Sequence, residues 1–421
     1  MAPEEPVSHQ AVNGPPSSAG RPSRVWFLRL LLLAGGIAVA LLVGEIAVRL
    51  LGADPELAVV SAGAFRLSEN PVLRYELFPG ARDGDIKINP DGMRDRSYTV
   101  QKPAGTFRIA CIGDSICAGF HLDAAEAFGA RLEQLLNRYY ATPDQAFEVL
   151  NFGVTGYNIT QAVENLRVRG LKYDPDVIVY AYCLNDVQEY SFEFETLQAR
   201  LTAAERSHLG RMLRGDSWLL LHSRLYALCR YSWESHALPS DGPPEIRPDE
   251  QFRHLGNNTY EQYFRSQYNS QAGWGRVLDG LERLAEVSRR HNMNVYLAIF
   301  PIFGDFEAYP LEDVHRKVAT AAKQRSLRVL DLLGGYRAFS RMADGPFALD
   351  DLHPNAAGHA LAAVAILRAL LAGERALATS PCLDPMALGD QPEALAASLL
   401  LRHDRQAGQA ADTAQNPRGI P

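Results

Sequence analysis

Short apolar runs alternate with amphipathic stretches between residues 107 and 371. Short runs bounded by turn residues predict strands, whereas apolar positions three and four apart over longer windows predict helices. The predicted strands are residues 109–112, 148–152, 177–182, 295–300 and 328–332. The predicted helices are residues 125–140, 159–171, 275–291, 311–325 and 355–371. This alternation predicts an α/β fold, a doubly wound parallel sheet of about five strands.

One interval in the alternation is too long for a single strand–helix–strand step. More than a hundred residues separate the third and fourth predicted strands, whereas one such step needs about 30–40. The excess, about residues 190–272, is rich in aromatic residues such as Trp218 and Tyr260. We expect a long insertion here, either a lid or substrate-binding cap or a segment whose rings pack in a small core of their own.

A separate apolar stretch lies near the N-terminus. Residues 30–44 carry no charge, and the apolar character extends over residues 25–51 if Arg29 and Glu45 are included. The extended stretch is long enough to span a bilayer. A cleaved signal peptide has an apolar region of similar length, but no small-residue cleavage site follows cleanly, which favours an uncleaved anchor. Arginines before the stretch predict a cytoplasmic N-terminus, with the rest of the chain on the periplasmic or extracellular side.

The remaining segments complete the predicted organisation. We expect a disordered N-terminus over residues 1–23, a membrane anchor over residues 24–52 and a lead-in segment over residues 53–105. The lead-in is expected to pack on the main domain, residues 106–378, which a flexible tail follows over residues 379–421.

Composition and charge narrow the possible partners. The net charge of −7 offers no basic surface, so no nucleic-acid partner is expected. The five cysteines lack metal-ligand spacing and the eleven histidines are scattered, so no metal or other cofactor is expected. Neither nucleotide-binding glycine motif follows the first predicted strand, which disfavours a P-loop or Rossmann nucleotide binder, the runner-up fold. The sequence does not indicate an oligomeric state.

Four short segments follow predicted strands or precede the last predicted helix, on the edge where α/β sheets form their binding crevices. The segments are Gly113-Asp114-Ser115, residues 151–157 with Gly156, residues 183–186 with Asn185, and residues 349–355 with Asp350 and His353. Each alone is compatible with an ordinary turn, strand end or helix cap. Together they bring a hydroxyl, a glycine N–H, an amide and an Asp-x-x-His pair to one edge. A carboxylate three residues from an imidazole can fix its tautomer, so that the other ring nitrogen can accept a serine proton.

These segments resemble the four ordered blocks of the SGNH (GDSL-type) hydrolases. The similarity covers about residues 107–371, the insertion excepted, and it implies the flavodoxin-like sheet of the SGNH hydrolase fold. The apolar N-terminal stretch followed by residues 89–95, NPDGMRD, resembles the lead-in of membrane-anchored bacterial members.

The resemblance also implies a role for each matching residue. Ser115 is the implied nucleophile, His353 the general base and then acid, and Asp350 the carboxylate that orients His353. The implied oxyanion hole consists of the backbone N–H groups of Ser115 and Gly156 and the side-chain amide of Asn185.

Two positions depart from the family pattern or leave it ambiguous. Cys183 stands where the family usually has glycine, so its side chain either narrows the pocket or is buried in the strand. Asp351 adjoins Asp350 and remains a weaker candidate for the orienting carboxylate.

We therefore expect a membrane-anchored serine esterase that cleaves an acyl or acetyl ester through an acyl-enzyme. The alternative is an O-acetyltransferase acting on an extracellular or cell-envelope polysaccharide, because a sugar hydroxyl can replace water as the acceptor. The intact set of site residues argues against a third reading, a non-catalytic anchored scaffold. The expected partners are an ester or acetylated glycan substrate and the membrane.

Overall fold

The computed structural model describes most of the main domain and the N-terminal helix. The described residues are 24–51, 64–83, 86–119, 121–189, 191–205, 223–226, 228–229, 258–341, 347–374 and 377. The predicted disordered N-terminus, the predicted C-terminal tail and most of the predicted insertion lie outside the described residues.

Five parallel strands form the central sheet, and we number them one to five in chain order. They span Thr106–Gly113, Ala146–Asn151, Val177–Tyr182, Asn294–Ile299 and Arg328–Asp331. Their spatial order is two, one, three, four, five, the flavodoxin-like doubly wound arrangement. The structure thus confirms the predicted fold class.

The flanking helices pack in two groups. Helix Ala356–Gly373 contacts helix Phe128–Tyr139, and helix Gln271–His291 contacts helix Ile159–Asn165. Helix Glu312–Lys323 precedes the fifth strand. These five helices correspond to the predicted ones.

One predicted helix, residues 159–171, was only partly correct. The α-helix ends at Asn165, and a π-helical turn, Leu166–Gly170, continues the chain. Helices Tyr260–Asn269 and Leu333–Ser340 were not predicted. Both are short, so the periodicity that identifies a helix has few turns in which to appear.

The third strand lies at the centre of the core. All of Val177–Tyr182 is buried, as expected for a parallel strand that is covered on both faces of its sheet. The carboxyl ends of the first, second and third strands therefore emerge side by side from a rigid layer.

The N-terminal helix Arg24–Leu50 has 27 residues. Within the described residues, two helices, Trp26–Leu50 and Ala356–Gly373, are long and apolar enough to cross a membrane. Most of Ala356–Gly373 is buried in the domain, whereas only 6% of the apolar window in Trp26–Leu50 is buried. A membrane span and a signal sequence share the properties of this first helix.

Candidate active site

Ser115 lies just past the carboxyl end of the first strand. Gly113 has φ +150°, and a Cβ there would lie 2.7 Å from the carbonyl oxygen of Ala181 on the neighbouring strand. Glycine is therefore required where the chain leaves the sheet. The next residue, Asp114, caps the short helix Ser115–Ala118 by accepting a hydrogen bond from the N–H of Ile116 at 3.0 Å. This turn holds the Ser115 side chain at the edge of the sheet.

The side chain of His353 connects Ser115 with Asp350. The Oγ atom of Ser115 lies 2.9 Å from Nε2 of His353. The other ring nitrogen, Nδ1, lies 2.9 Å and 2.8 Å from the two carboxylate oxygens of Asp350. Oδ1 of Asp350 also accepts the backbone N–H groups of Leu352 at 2.7 Å and His353 at 2.8 Å. The carboxylate is thus fixed by the same tight loop that carries the imidazole.

Burial and the charge of the partner shift the pKa values of His353 and Asp350 in opposite directions. Burial lowers the pKa of His353, but the hydrogen bond and charge of Asp350 outweigh it, so the pKa is raised above 6.5. Burial raises the pKa of Asp350, but the hydrogen bond and charge of His353 prevail and lower it to about 2. The arrangement favours an ionised carboxylate beside a ring that can hold a proton.

The adjacent residue, Asp351, contacts a different part of the domain through its backbone. Its backbone oxygen accepts the N–H of Phe303 at 2.7 Å, and the residue is exposed. The carboxylate observed on the ring of His353 is that of Asp350.

Gly156 and Asn185 line the same cleft as Ser115 and His353. The amide nitrogen of Asn185 donates to Oδ2 of the buried Asp114 at 2.9 Å, which uses one of its two hydrogens. Gly156 has φ +78°, and a Cβ there would collide with the carboxylate of Glu193. The structure therefore brings four of the five predicted site residues to one cleft, and the fifth, Asp350, is hydrogen-bonded to the ring of His353.

Cys183 is buried in the domain interior, 1% exposed. Its backbone N–H donates to Oδ2 of Asp186 at 2.8 Å, and the hydroxyl of Tyr180 donates to Oδ1 at 2.5 Å. Cys183 does not line the cleft. Of the two alternatives for this departure from the family pattern, burial in the strand end is the observed one.

Sequence reasoning missed several residues that line the cleft. They are Gln188, Ser191, Phe192, Glu193 and Leu352. Most belong to the turn after the third strand or to the start of the insertion, where no periodic pattern marks them. Tyr260 and Phe264, which also line the cleft, are among the aromatic residues of the predicted insertion.

The lead-in segment also contacts the site. The guanidinium of the buried Arg94 donates to the backbone oxygens of Ala118 at 2.9 Å, Gly119 and Leu122. These carbonyls belong to the end of the Ser115 helix and the loop after it. The signal that could have identified Arg94 was its place in residues 89–95, which the family resemblance included without a role.

No metal-binding cluster is present in the described part of the chain: no three His, Cys, Asp or Glu side chains there could hold a metal ion together. The groups gathered at the cleft are instead a hydroxyl, an imidazole, a carboxylate and hydrogen-bond donors, which suit acyl transfer through oxygen nucleophiles.

Comparison with known proteins gives a family match over most of the main domain. Residues 111–361 match the GDSL-like lipase/acylhydrolase family. No curated protein sequence matches the chain. Solved structures with a similar fold include a lipase/acylhydrolase from Enterococcus faecalis, with 15% identity and a TM-score of 0.35, covering 63% of this chain and 95% of that one.

Two further solved structures match the chain at a similar level. An acetylxylan esterase from Geobacillus stearothermophilus is 15% identical, with a TM-score of 0.37, covering 65% of this chain and 98% of that chain. An α/β hydrolase enzyme from the metagenome of Lake Arreo, Spain, is 16% identical, with a TM-score of 0.37, covering 62% and 94%. Likeness at this level carries neither substrate nor site residues to the present chain.

Proposed function

The chain belongs to the GDSL-like lipase/acylhydrolase family, and from that premise we propose that it is a membrane-anchored serine esterase. In this proposal Ser115 is the nucleophile, His353 the general base and acid, and Asp350 the carboxylate that orients the ring. The observation that carries the proposal is the 2.9 Å hydrogen bond between Ser115 Oγ and His353 Nε2. Family membership supports the coarser statement that the protein hydrolyses esters.

In the acylation step, Ser115 Oγ attacks the ester carbonyl carbon while Nε2 of His353 accepts the hydroxyl proton. The resulting oxyanion receives hydrogen bonds from the proposed donors, the N–H groups of Ser115 and Gly156 and the second amide hydrogen of Asn185. One such donor typically contributes about 10²–10³ to turnover. The bond to the alcohol oxygen then breaks, the alcohol takes the proton from His353, and the acyl group remains on Ser115.

Deacylation repeats the sequence with water as the nucleophile. Water attacks the acyl carbon and gives a proton to His353, and the bond between the acyl carbon and Ser115 Oγ breaks. Ser115 recovers its proton from the imidazolium ring and the carboxylic acid leaves. The Asp350 carboxylate stabilises the imidazolium form in both steps.

The second candidate function is transfer of the acyl group to a sugar hydroxyl. The acyl-enzyme would be identical, and only the acceptor would change from water to an alcohol. Buried acceptor oxygens on Asn185 and Gln188, which have no partner among the described residues, favour a hydroxyl-bearing molecule in the cleft. Incubation with a chromogenic acetyl donor and an oligosaccharide separates the two functions, because hydrolysis releases acetate and transfer yields an acetylated sugar.

We place the N-terminal helix across the membrane in this proposal. Its apolar residues are exposed along most of its length, and Arg21, Arg24 and Arg29 precede or begin the uncharged stretch. The positive-inside rule then puts the N-terminus in the cytoplasm and the catalytic domain on the periplasmic or extracellular side.

Covalent labelling of the detergent-solubilised full chain tests the proposed nucleophile. A fluorophosphonate probe is expected to label the wild-type protein and not the Ser115→Ala variant, whose hydrolysis of 4-nitrophenyl acetate is also expected to be lost. Ser97→Ala, at an exposed serine, is the matched control and is expected to be labelled like the wild type. Equal labelling of wild type and Ser115→Ala would rule out Ser115 as the nucleophile.

A further inference from the structure

One wall of the cleft beside Ser115 consists of hydrogen-bond acceptors that the proposed reaction does not use. We call it the acceptor wall, formed by Gln188, Ser191 and Glu193. It follows the third strand and continues into the start of helix Phe192–Glu205.

The amide of Gln188 provides the first indication of a missing partner. Its side-chain oxygen is buried and has no hydrogen-bond donor among the described residues. The side-chain oxygen of the neighbouring Asn185 is likewise buried without a donor among the described residues. Buried acceptors without a donor are costly, so a bound molecule that presents O–H or N–H groups would stabilise this wall.

Glu193 is the second acceptor of the wall, and its carboxylate is only partly occupied: its own backbone N–H donates to it, whereas a carboxylate can accept about four hydrogen bonds. Its Oε2 contacts Gly156 and lies 3.3 Å from the hydroxyl of Ser191. That hydroxyl also lies 2.9 Å from the Tyr75 oxygen, so its single proton cannot serve both acceptors. No Lys or Arg of the described chain forms an ion pair with Glu193. Burial raises the pKa of its carboxyl above 4.5, which leaves it suited to hydrogen bonding with neutral polar groups.

An aromatic surface lines the same cleft. The rings of Tyr260 and Phe264 are stacked, with centroids 5.8 Å apart and planes 16° from parallel. A flat apolar surface near a set of acceptors matches a ring that has an apolar C–H face and hydroxyl groups around its rim. An aliphatic alcohol would cover the aromatic surface but leave the acceptors unpaired.

We propose that the acceptor wall and the Tyr260–Phe264 pair bind the alcohol half of the substrate, and that this alcohol is a carbohydrate. Hydroxyl groups of the sugar donate to Gln188 Oε1 and to Glu193, and the C–H face of the ring lies on Tyr260, whose ring is supported by the buried Phe264. The inference rests on the proposed function, because it takes Ser115 as the residue that attacks the ester of that sugar.

The test compares two acetyl esters of similar ring size on the detergent-solubilised full chain. Methyl 6-O-acetylglucoside carries hydroxyl donors, whereas cyclohexylmethyl acetate has none. We expect kcat/KM to favour the sugar ester by about tenfold or more, since sites built for hydroxyl groups reject analogues that lack them. Gln188→Met removes the acceptor at nearly constant size and is expected to lower this preference by about three- to tenfold. Gln188→Glu keeps an acceptor oxygen and is expected to retain most of the preference.

A matched control and a binding measurement complete the experiment. Gln324→Met replaces an exposed glutamine on the far helix end and is expected to keep the wild-type preference. Calorimetric titration of Ser115→Ala with methyl glucoside is expected to show binding that weakens when Gln188→Met is added.

Equal kcat/KM for the two esters would overturn the carbohydrate assignment while Ser115-dependent hydrolysis persists. So would a preference for the sugar ester and binding of methyl glucoside that survive both Gln188→Met and Glu193→Leu. Loss of all ester hydrolysis and of Ser115 labelling in the wild type would instead overturn the proposed function.

Discussion

At the residue scale, Asp350 is the main neighbour that raises the pKa of His353, and the charges of Asp114 and Glu193 act in the same direction. Asp350 accepts from Nδ1 at 2.8 Å and raises the pKa of the ring against the effect of burial. The proposed base is the neutral ring, so kcat/KM is expected to rise with pH through a midpoint above 6.5. A pH profile of 4-nitrophenyl acetate hydrolysis measures this midpoint directly. A midpoint clearly below 6.5 would contradict the prediction.

Asp350→Asn removes the charge that raises this pKa. We expect the midpoint to move to lower pH and the maximal rate to fall by about 10³–10⁴, because the amide neither stabilises the imidazolium nor selects the same tautomer. Asp351→Asn is the matched control. This neighbouring residue contacts Phe303 through its backbone oxygen, which the substitution leaves in place. A comparable loss in both variants would argue against a distinct role for Asp350.

At the scale of elements, Arg94 ties the lead-in segment to the turn that carries Ser115. Its guanidinium donates to three backbone oxygens between residues 118 and 122. Arg94→Met is expected to lower kcat by about 10- to 100-fold with a smaller change in KM, because a shift of about 1 Å at the reacting atoms costs this much. Arg96→Met, at an exposed salt bridge with Glu133, is expected to change kcat little.

Arg94→Lys and thermal unfolding distinguish positioning from general destabilisation. Lysine keeps the charge but presents fewer donors, so partial recovery of kcat is expected. A variant that loses kcat only in proportion to the unfolded fraction would show that Arg94 acts on stability alone.

A second histidine, His359, lies on the last helix. Its protonation is expected to affect the stability of the folded domain. Nδ1 of His359 accepts the N–H of Phe128 at 3.1 Å, and burial lowers its pKa to about 3. Between pH 3 and 6.5 the unfolded chain therefore binds more protons here than the folded chain, and stability falls as pH decreases. From pH 7 to pH 5 the wild type is expected to lose about 2 kcal/mol more than His359→Gln. Denaturant unfolding at the two pH values measures the difference, and equal losses would contradict it.

At the scale of the whole molecule, the N-terminal helix sets the expected location of the domain. A fusion of alkaline phosphatase to the C-terminus is expected to be active, because that enzyme requires the oxidising side of the membrane to form its disulfides. A fusion of green fluorescent protein at the N-terminus is expected to fluoresce in the cytoplasm. The reverse pattern would contradict the proposed topology. Recovery of the domain in the soluble fraction would contradict an uncleaved anchor.

Periodicity was sufficient to predict the five strands and the positions of five helices, because burial on both faces of the sheet leaves an almost continuous apolar strand such as Val177–Tyr182. The positions of Ser115, Gly156 and Asn185 followed from the same logic, since the carboxyl ends of neighbouring parallel strands meet at one edge. The role of Asn185 toward Asp114 was not predictable from spacing, since it depends on how two turns face each other.

The lead-in and the insertion were predicted least well. Glu193 contacts Gly156 and Arg94 contacts Gly119 through side chains whose partners are distant in sequence and belong to irregular backbone. Local propensity and periodicity describe neighbours along an element, and neither specifies how two loops pack. Such contacts emerge only when the tertiary arrangement is known.

The 238 positions that separate Ser115 from His353 have a consequence during biosynthesis. In the proposed mechanism, a nascent chain that has left the ribosome only as far as residue 349 carries a serine hydroxyl with no base beside it. Reactivity arises only once the loop that carries His353 has been made, exported and folded beside the turn that carries Ser115. In this mechanism the order of synthesis alone keeps the serine unreactive until the domain is nearly complete.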